Sequence, residues 1–506
     1  MQQLPKDKNL THIVCESVGF VLLFVFLQVF CEYYWYPVGE NNGLFLCTSN
    51  YFFECLAKPA GMLTYAGAFL AQCFVLQYCG ALLLTLLCFI VYKSAEMLTH
   101  TLMPTASLPF FSLLLVAYTI LLHIDADYHI SGTLALISCI VVVLGYLHIE
   151  KNILKALFIV VLIPIFSWLA GPAAIVAAAS IAFIEIIADI KKGWLYVVAI
   201  PLAILPLWLW YIQPHTETAE IAFLPNAYFY HYMSPGTKVW YPWIVVFAMV
   251  VIVTLVKRIK PDIKINGRTT VIIQVLAAVA IFGSLFTSSH SKSTYQYLEV
   301  EHLRKTEQWT KLEAVSIGEN SPSITINSYN LAVQKQGKLA EKVFIAHRYG
   351  PGSLYTPYAG QPMLADLLSD IYLAHGNIAM SQKLAMNYML SHEDALDGRS
   401  LLRLIDTNLL LGHHDVAEKY IKKLEDTWLY RDAAASRRAL LYNDKALAQD
   451  SRLGELYRCV PKDSTVVNSV VADLETILRT NPSFKPAKDF LDIYNKLLEE
   501  NNQSYE

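Results

Sequence analysis

The sequence predicts an all-α protein made of a polytopic transmembrane helix bundle over residues 1–289, followed by an α-solenoid of tetratricopeptide-like repeats over residues 290–506. Two observations lead to this fold class. The chain is 55% hydrophobic and only 16% charged, which is more apolar than a soluble protein of this size. The apolar excess is confined to residues 13–289, whereas residues 290–506 have the composition of a soluble domain. The two parts are therefore adapted to different solvents.

Apolar segments recur along the first part at close to the length that a bilayer core requires. They lie near residues 13–31, 78–92, 107–122, 129–148, 154–169, 171–188, 194–212, 240–256 and 270–288. We therefore predict about nine spans. Residues 61–76 are also apolar, and they fit either a membrane-surface helix that breaks near residues 77–80 or a tenth span. We favour the surface helix, because a tenth span would invert the charge assignment of every later loop.

Lysine and arginine fall in alternate connections between these segments, which defines an orientation. The basic connections hold Lys6 and Lys8, then Lys93, then Lys151 and Lys155, then Lys191 and Lys192, then Lys257, Arg258, Lys260, Lys264 and Arg268. We place these connections in the cytoplasm. An odd number of spans then puts residues 290–506 on the outer face, the periplasm if the membrane is a bacterial inner membrane. The first span would act as an uncleaved signal anchor.

Charge and cysteine content argue against a nucleic-acid partner and against a cysteine-based metal site. The net charge of -3, without a basic stripe, gives no reason to expect a nucleic-acid partner. No CxxC pair or Cys/His spacing indicates a metal site. Cys47 and Cys55 share the first outer loop, and their spacing leaves open whether they form a disulfide.

Amphipathic helices with a loose repeat are predicted from residue 290 onward. Each repeat has a glycine at a turn between two helices and an alanine shortly beyond it: Gly337 and Ala340, Gly376 and Ala379, Gly412 and Ala417, with Pro486 and Ala487 marking a further unit. The glycine-to-glycine steps are a little above the tetratricopeptide period. Glycine relieves crowding at such turns, and alanine allows helices to approach closely. An irregular helical bundle is the alternative.

The first outer loop contains the main candidates for a catalytic site. Glu32, Glu40 and Glu54 share this loop with many aromatic residues, including Trp35. A carboxylate here could act as a general base or bind a metal for a reaction on a lipid-linked substrate. The alternative is an interfacial belt of aromatic side chains with solvated glutamates.

The second outer loop is a candidate metal site. Asp125 and Asp127 alternate with His123 and His129 at spacings of two, which would suit a divalent cation if the loop were extended. A short polar hairpin between two helices gives the same pattern. No span carries the series of buried charges that is expected of a pump or proton-coupled transporter.

Most of the chain resembles an uncharacterised family. The segments Glu40-Asn-Asn-Gly-Leu-Phe, Lys58-Pro-Ala-Gly, Phe69-Leu-Ala-Gln and Gly171-Pro172, with the repeat-bearing tail, resemble a multi-pass bacterial membrane family that is a domain of unknown function. In architecture the chain is also similar to C-type membrane glycosyltransferases. This similarity implies a polyprenyl-phosphate-linked sugar donor and a catalytic role for Glu32, Glu40 or Glu54, although the loop lacks an Asp-Asp or Asp-x-Asp pair.

Two hypotheses for the function follow. The first is a glycosyltransferase at the outer face of the inner membrane, with a first-loop glutamate as base and the solenoid holding the acceptor. The second is a non-enzymatic membrane scaffold whose helical repeats recruit a protein or peptide partner for envelope assembly. A transporter is a third choice, which the absence of mid-membrane charges disfavours.

Overall fold

A computed structural model describes residues 6–41, 44–106, 108–125, 127–213, 218–229, 237–259, 268–317, 321–343, 350–391, 396–460 and 470–503. Their regular structure is helical, apart from an isolated β-bridge between Tyr128 and Phe229. The chain forms two compact units. The first, here called the apolar unit, contains residues 1–42 and 48–291, and the second, the polar unit, contains residues 43–47 and 292–506. The polar unit thus includes a short piece of the predicted first outer loop.

Most helices of the apolar unit coincide with the predicted apolar segments, but two short ones, Glu32–Asn41 and Ser49–Leu56, lie in the predicted first outer loop. In chain order they are α1 (Lys6–Phe30), α2 (Glu32–Asn41), α3 (Ser49–Leu56), α4 (Gly61–Ala71), α5 (Cys79–Leu102), α6 (Pro109–His123), α7 (Ile130–Leu147), α8 (Asn152–Ala170), α9 (Ala173–Ala188), α10 (Gly193–Tyr211), α11 (Tyr241–Ile259) and α12 (Arg268–Ser289). Local chemistry explains several boundaries. Pro109 starts α6, where its missing N–H is not needed. Gly171, with φ +67, ends α8 in a conformation that favours glycine.

Six of these helices are long and apolar enough to cross a membrane: α5, α7, α8, α10, α11 and α12. The predicted spans at α1, α6 and α9 contain shorter apolar stretches, Glu16–Phe30, Pro109–His123 and Ala173–Ala188. A bilayer core of ordinary thickness needs about 20 apolar residues. The apolar unit is therefore compatible with membrane insertion through at least these six helices.

Residues 61–75 form a short helical segment that is separate from α5. Helix α4 continues into a 3-10 turn over Gln72–Val75, and α5 begins at Cys79. Ala60 and Tyr78, on either side of the segment, have positive φ angles of 62° and 64°. Residues in this left-handed region turn the chain sharply. The segment therefore breaks within the predicted interval, residues 77–80.

The start and middle of this segment lie against the ends of two other helices. The amide of Ala60 donates to the carbonyl of Trp168, near the C-terminal end of α8, at 2.9 Å. A Cβ atom added to Gly67 would lie 2.8 Å from the amide nitrogen of Ser131, in the first turn of α7. Glycine thus allows α4 to approach the backbone of α7 closely.

The end of the segment lies at the same end of the helices. The ring of Phe74 is 6.3 Å from that of Trp35, just after α1, and 6.1 Å from that of His123, the last residue of α6. Its two termini therefore both contact the end of the bundle where α1, α6 and α8 finish and α7 begins.

Antiparallel helices build most of the polar unit. In chain order they are α13 (Lys292–Lys305), α14 (Ser323–Lys335), α15 (Pro362–Ala374), α16 (Ile378–Leu390), α17 (Gly398–Leu410), α18 (His414–Glu425), α19 (Arg431–Arg438), α20 (Val470–Thr480) and α21 (Lys485–Gln503). From α15 to α19, each helix packs against the next. Buried apolar residues of α16 to α19 form a continuous core, which Leu404 and Ile421 exemplify.

The predicted glycine turns are confirmed. Gly337, Gly376 and Gly412 have φ angles of 72°, 81° and 78°. At each one, the amide of the next residue donates to a carbonyl five residues earlier: Lys338 to Val333, Asn377 to Tyr372 and His413 to Asn408, at 3.0, 2.9 and 2.8 Å. This is the hydrogen bond of a glycine C-cap. The same turn therefore recurs three times: between α14 and the short helix Leu339–Lys342, between α15 and α16, and between α17 and α18.

The predicted role of the alanines is only partly correct. Ala417 is fully buried, as expected for a close helix contact, but Ala340 and Ala379 are exposed. Leu339 and Ile378, one residue earlier in each case, are buried instead. After the first two turns, the helix therefore directs the residue two positions after glycine into the core.

Leu44–Cys47 is an extended segment within the polar unit. Leu44 belongs to the core that α16 to α19 form, and Leu46 packs against it. The amide of Cys47 donates to the carbonyl of Asp426 at 2.7 Å. We call residues 44–47 the strap. It completes the core of the polar unit with residues that precede α3.

Candidate functional site

The first-loop carboxylates have different surroundings. Glu32, on α2, accepts a hydrogen bond from the hydroxyl of Tyr36 at 3.0 Å. Glu54, on α3, is exposed. Glu40 falls on α2, but its side chain lies outside the described residues. A catalytic role for any of the three remains a prediction.

The aromatic residues beside Glu32 are packed inside the protein. Tyr34 and Trp35 are 2% and 3% exposed. The Tyr34 hydroxyl lies 3.0 Å from Nδ1 of His290, which follows α12. The predicted interfacial aromatic belt is therefore wrong for these two residues: Tyr34 contacts the residue that follows α12, and Trp35 packs against Phe74.

The second predicted site is a tight turn. The amide of Asp127 donates to Oδ1 of Asp125 at 3.2 Å, which closes the turn locally. His123 is buried, and its Nε2 lies 3.0 Å from Oγ1 of Thr133 on α7. In the part of the chain that the structure describes, no three His, Cys, Asp or Glu residues are placed to hold a metal ion. A cation bound by Asp125 and Asp127 remains a prediction.

Asp127 is nevertheless poised to exchange protons near neutral pH. Burial raises its pKa to about 6, and the negative charge of Asp125 adds to this effect. Burial also raises the pKa of Asp125, although its hydrogen bond from Asp127 and the charge of Lys238 oppose the shift. A carboxyl with such a pKa could act as a general acid or base.

Tyr228 joins the loop before α11 to the α8–α9 corner, a contact that no sequence pattern predicts. Its hydroxyl donates to the carbonyl of Ala170 and accepts from the amide of Ala173 at 3.1 Å. The amide of His129 donates to the carbonyl of Tyr228 at 3.1 Å. Together with Trp35, Ala60, Phe74 and His123, these residues form what we call the loop-side layer of the apolar unit.

Basic residues concentrate at the opposite helix ends, which we call the basic layer. Glu185, near the end of α9, accepts from Lys155 at 2.5 Å and from the hydroxyl of Tyr146 at 2.8 Å. Lys93 pairs with Glu16 at 2.7 Å. Lys93 lies within α5, which extends to Leu102, rather than in the connection where the sequence placed it, and the orientation inferred from the basic connections stays a prediction.

The polar unit contains a buried group of charges, which we call the arginine–aspartate cluster. Asp366 and Asp370 lie one turn apart on α15. Arg304, only 2% exposed, donates to both carboxylates. Arg399 donates to both at 2.7 to 3.0 Å, and Arg403 donates to Asp370 at 2.5 Å. Three helices, α13, α15 and α17, are thereby held by charge-assisted hydrogen bonds.

A second ion pair continues these interactions along the helices. Asp406, on α17, accepts two hydrogen bonds from Arg437 of α19, at 2.8 and 3.0 Å. Arg452 adds a third at 3.0 Å. Sequence reasoning missed both groups, because the partners are far apart in the chain. The only local signal is the spacing of four within the pairs Asp366 and Asp370, and Arg399 and Arg403.

The comparisons with known proteins give one match. The profile of one protein family matches residues 9–504, and its description is of a family of unknown function. No curated protein matches the chain. No solved structure matches it.

Proposed function

The chain belongs to that family, DUF6057, and we propose that it is a membrane-anchored scaffold whose polar unit binds a protein partner at the outer face. The observation that carries this proposal is the series of consecutive antiparallel helices with recurring glycine turns, from α14 to α18. Arrays of paired helices present extended surfaces that suit protein binding.

Two arguments support the outer location. The basic layer lies at the helix ends opposite the loop-side layer, and basic residues remain on the cytoplasmic side. The strap precedes α3 and belongs to the core of the polar unit, so both must lie on the same side of the membrane. The chain between them then crosses an even number of times. The eight helices from α5 to α12 satisfy this condition if α4, which has both termini in the loop-side layer, does not cross.

The test is complementation in a deletion strain of the organism that encodes the chain. We expect Glu32→Gln, Glu54→Gln and Asp127→Asn to restore the lost phenotype. A chain truncated after Ser289 should insert at a normal level yet fail to restore it. Full activity of the truncated chain would contradict the scaffold, because the polar unit would then be dispensable.

A second candidate function is glycosyl transfer from a polyprenyl-phosphate-linked donor. One observation favours it: the Asp125–Asp127 turn lies in the loop-side layer and contains a carboxyl whose pKa is near neutral. In this mechanism Asp127 would take the proton of the acceptor hydroxyl while the acceptor oxygen bonds to the anomeric carbon of the sugar and the polyprenyl phosphate leaves. A divalent cation held by the paired carboxylates would stabilise the charge of the leaving phosphate. Glu32, Glu40 and Glu54 remain alternative bases.

The same strains distinguish the two functions if envelope glycans are profiled. An enzyme predicts that Asp127→Asn, or one of the glutamine variants at positions 32, 40 and 54, is present at a normal level but fails to restore a lost glycan. Leu76→Asn, at an exposed apolar position outside the Asp125–Asp127 turn, is the control for effects on insertion. Normal glycans in every carboxylate variant would exclude this mechanism.

A further inference from the structure

The strap fills a place in the polar unit that the helices of this unit leave open. Leu44 is 7% exposed in the core of α16 to α19, and Leu46 packs against the same core. The other residues of this core lie between Ile378 and Val460. The sequence neighbours of the strap, α2 and α3, belong to the apolar unit. A short segment from a distant part of the chain therefore occupies a groove in the helical array.

This groove holds the strap as a binding site holds an extended peptide. Side chains two residues apart lie on the same side of an extended chain, which explains why Leu44 and Leu46 both pack on the core. The amide of Cys47 donates to the carbonyl of Asp426, the residue that ends α18, at 2.7 Å. Carbonyl groups at the end of a helix have no partner within the helix and can accept from an incoming amide. We call this site, which ends at Asp426, the strap groove.

An exposed tryptophan extends the apolar surface beyond the strap. Trp428 lies two residues after Asp426 and is 54% exposed. Cys47 is also exposed, so the strap leaves the groove close to this point. A peptide segment that continued past the position of Cys47 would come within reach of Trp428. Tryptophan side chains are enriched among the residues that contribute most to binding at protein interfaces.

We propose that the strap groove and Trp428 bind an extended apolar segment of the protein partner, and that this segment displaces the strap. This inference rests on the scaffold function and names the chemistry that the partner must present. The segment has two apolar side chains at a spacing of two, like Leu44 and Leu46, and a further apolar side chain for Trp428. The strap thus acts as an internal competitor of the partner.

The contacts favour a partner protein over a second copy of the chain. Exchange of straps between two copies would form the same contacts that each copy already makes. It would also lose the high effective concentration of a segment that is tethered beside its own groove. A partner segment that is longer than the strap gains the contact with Trp428, and this gain offsets the competition from the strap.

The test measures binding of a fluorescein-labelled peptide to the full-length protein in detergent by fluorescence anisotropy. The peptide, Gly-Leu-Phe-Leu-Ser-Leu-Leu, contains the strap sequence with serine in place of Cys47, followed by two leucines. Leu44→Ser combined with Leu46→Ser empties the groove, and we call this chain the open variant. Asp426→Cys, oxidised so that it bonds to Cys47, closes the groove, and we call this chain the locked variant. The hydrogen bond between these two residues brings their backbones close enough for a disulfide.

We expect the open variant to bind the peptide at least about tenfold more tightly than the wild type, in which the tethered strap competes. The locked variant should give only the signal of empty micelles until it is reduced, which separates binding from partition into detergent. Addition of Trp428→Ala to the open variant should weaken binding about fivefold. Tyr442→Ala is the matched control, because Tyr442 is 60% exposed near the other end of α18 and should not affect binding.

Three results would overturn the proposal: no saturable binding by the open variant, equal binding by the locked variant before and after reduction, or unchanged affinity with Trp428→Ala. If the open variant loses the fold of its polar unit, saturating peptide should restore slow hydrogen exchange in α17 and α18, and failure to do so would also overturn the proposal. A locked variant that runs as a covalent dimer would show strap exchange between copies and contradict a partner protein.

The scaffold function is tested independently by the chain truncated after Ser289. If the peptide does not bind and the truncated chain fails to complement, the strap groove is rejected as a binding site and the scaffold is retained. If the truncated chain complements fully, the scaffold itself is rejected, whatever the peptide does.

Discussion

The two units satisfy their buried polar groups in different ways. In the apolar unit, several hydroxyl groups donate within their own helix, such as Thr85 to the carbonyl of Ala81 at 2.7 Å and Thr119 to that of Leu115 at 2.9 Å. Charged side chains bond across helices in both units, but the Lys155–Glu185 pair of the apolar unit is 20% and 14% exposed, whereas the Arg304–Asp366 pair of the polar unit is 2% and 8% exposed. A helix in lipid must satisfy its polar groups internally. A helix in a water-soluble array can use them to fix its neighbours.

The two units should therefore be sensitive to mutation at different kinds of position. The apolar unit depends on close backbone approach, with glycines such as Gly67 at its contacts. The polar unit depends on a few ion pairs with little access to water.

Removal of the most buried arginine should have the largest effect. Arg304→Met leaves Asp366 and Asp370 with fewer donors in a buried site, so we expect the free energy of unfolding of the polar unit to fall by about 3 kcal/mol. The full chain is unfolded by urea in detergent, and unfolding is monitored by brief pulses of hydrogen exchange. The exchange is then measured in peptides from the polar unit. Arg452→Met is the control, because its side chain is 49% exposed and Asp406 keeps Arg437; its effect should stay below about 1 kcal/mol. Equal losses of stability in Arg304→Met and Arg452→Met would contradict the claim that burial makes an ion pair important for stability.

The strap, which lies far from the rest of the polar unit in the sequence, should stabilise this unit. Leu44→Ala removes a side chain that is 7% exposed in the core of α16 to α19, and we expect a loss of about 2 kcal/mol. The readout is faster hydrogen exchange in peptides from α17 and α18. Phe53→Ala is the control, because Phe53 follows in the same loop and is 66% exposed. If exchange is unchanged, the strap does not contribute to this core.

Close packing of α4 should limit substitution in the apolar unit. Gly67→Ala places a methyl group 2.8 Å from the amide nitrogen of Ser131, and the backbone must shift to accept it. We expect a loss of about 1 to 2 kcal/mol, seen as a lower melting temperature in detergent. Gly145→Ala is the control, because a Cβ there would meet no atom within 4 Å. A neutral Gly67→Ala would show that α4 does not pack against α7.

A buried histidine should make the polar unit sensitive to acid. Burial lowers the pKa of His375 to about 3, and the charge of Lys335 adds to this effect. The unfolded chain binds this proton near pH 6.5, so stability is full above that pH and falls as the pH drops toward 3. We expect a loss of about 1 to 2 kcal/mol between pH 7 and pH 5. His375→Gln should reduce this slope in urea titrations, whereas exposed His413→Gln should leave it unchanged.

The sequence predicted the features that local chemistry determines. Apolar length located the helices, and the break before α5 follows from residues 77–80. Gly376 and Gly412 marked turns because a positive φ angle favours glycine. Each of these signals determines the conformation of residues that are only a few positions away in the sequence.

Features that depend on distant contacts could not be predicted. Arg304 and Asp370 are 66 residues apart, and nothing in either segment indicates the other. The strap has the composition of a loop, so its role in the polar core appears only when Leu44 is placed beside α17. The prediction of a close helix contact at Ala340 was wrong, because packing, and not the glycine, decides which residue of the next helix faces the core.

The most direct test of the account is the sidedness of four engineered cysteines. Intact cells that express Lys58→Cys, Tyr78→Cys, Lys445→Cys or Lys192→Cys are treated with an impermeant biotin maleimide, and mass spectrometry identifies the labelled site. The account predicts that positions 58, 78 and 445 are labelled from outside, and that position 192 is labelled only after permeabilisation. If position 78 behaves like position 192 and unlike position 58, α4 crosses the membrane. The proposed topology and the outer location of the polar unit would then be contradicted.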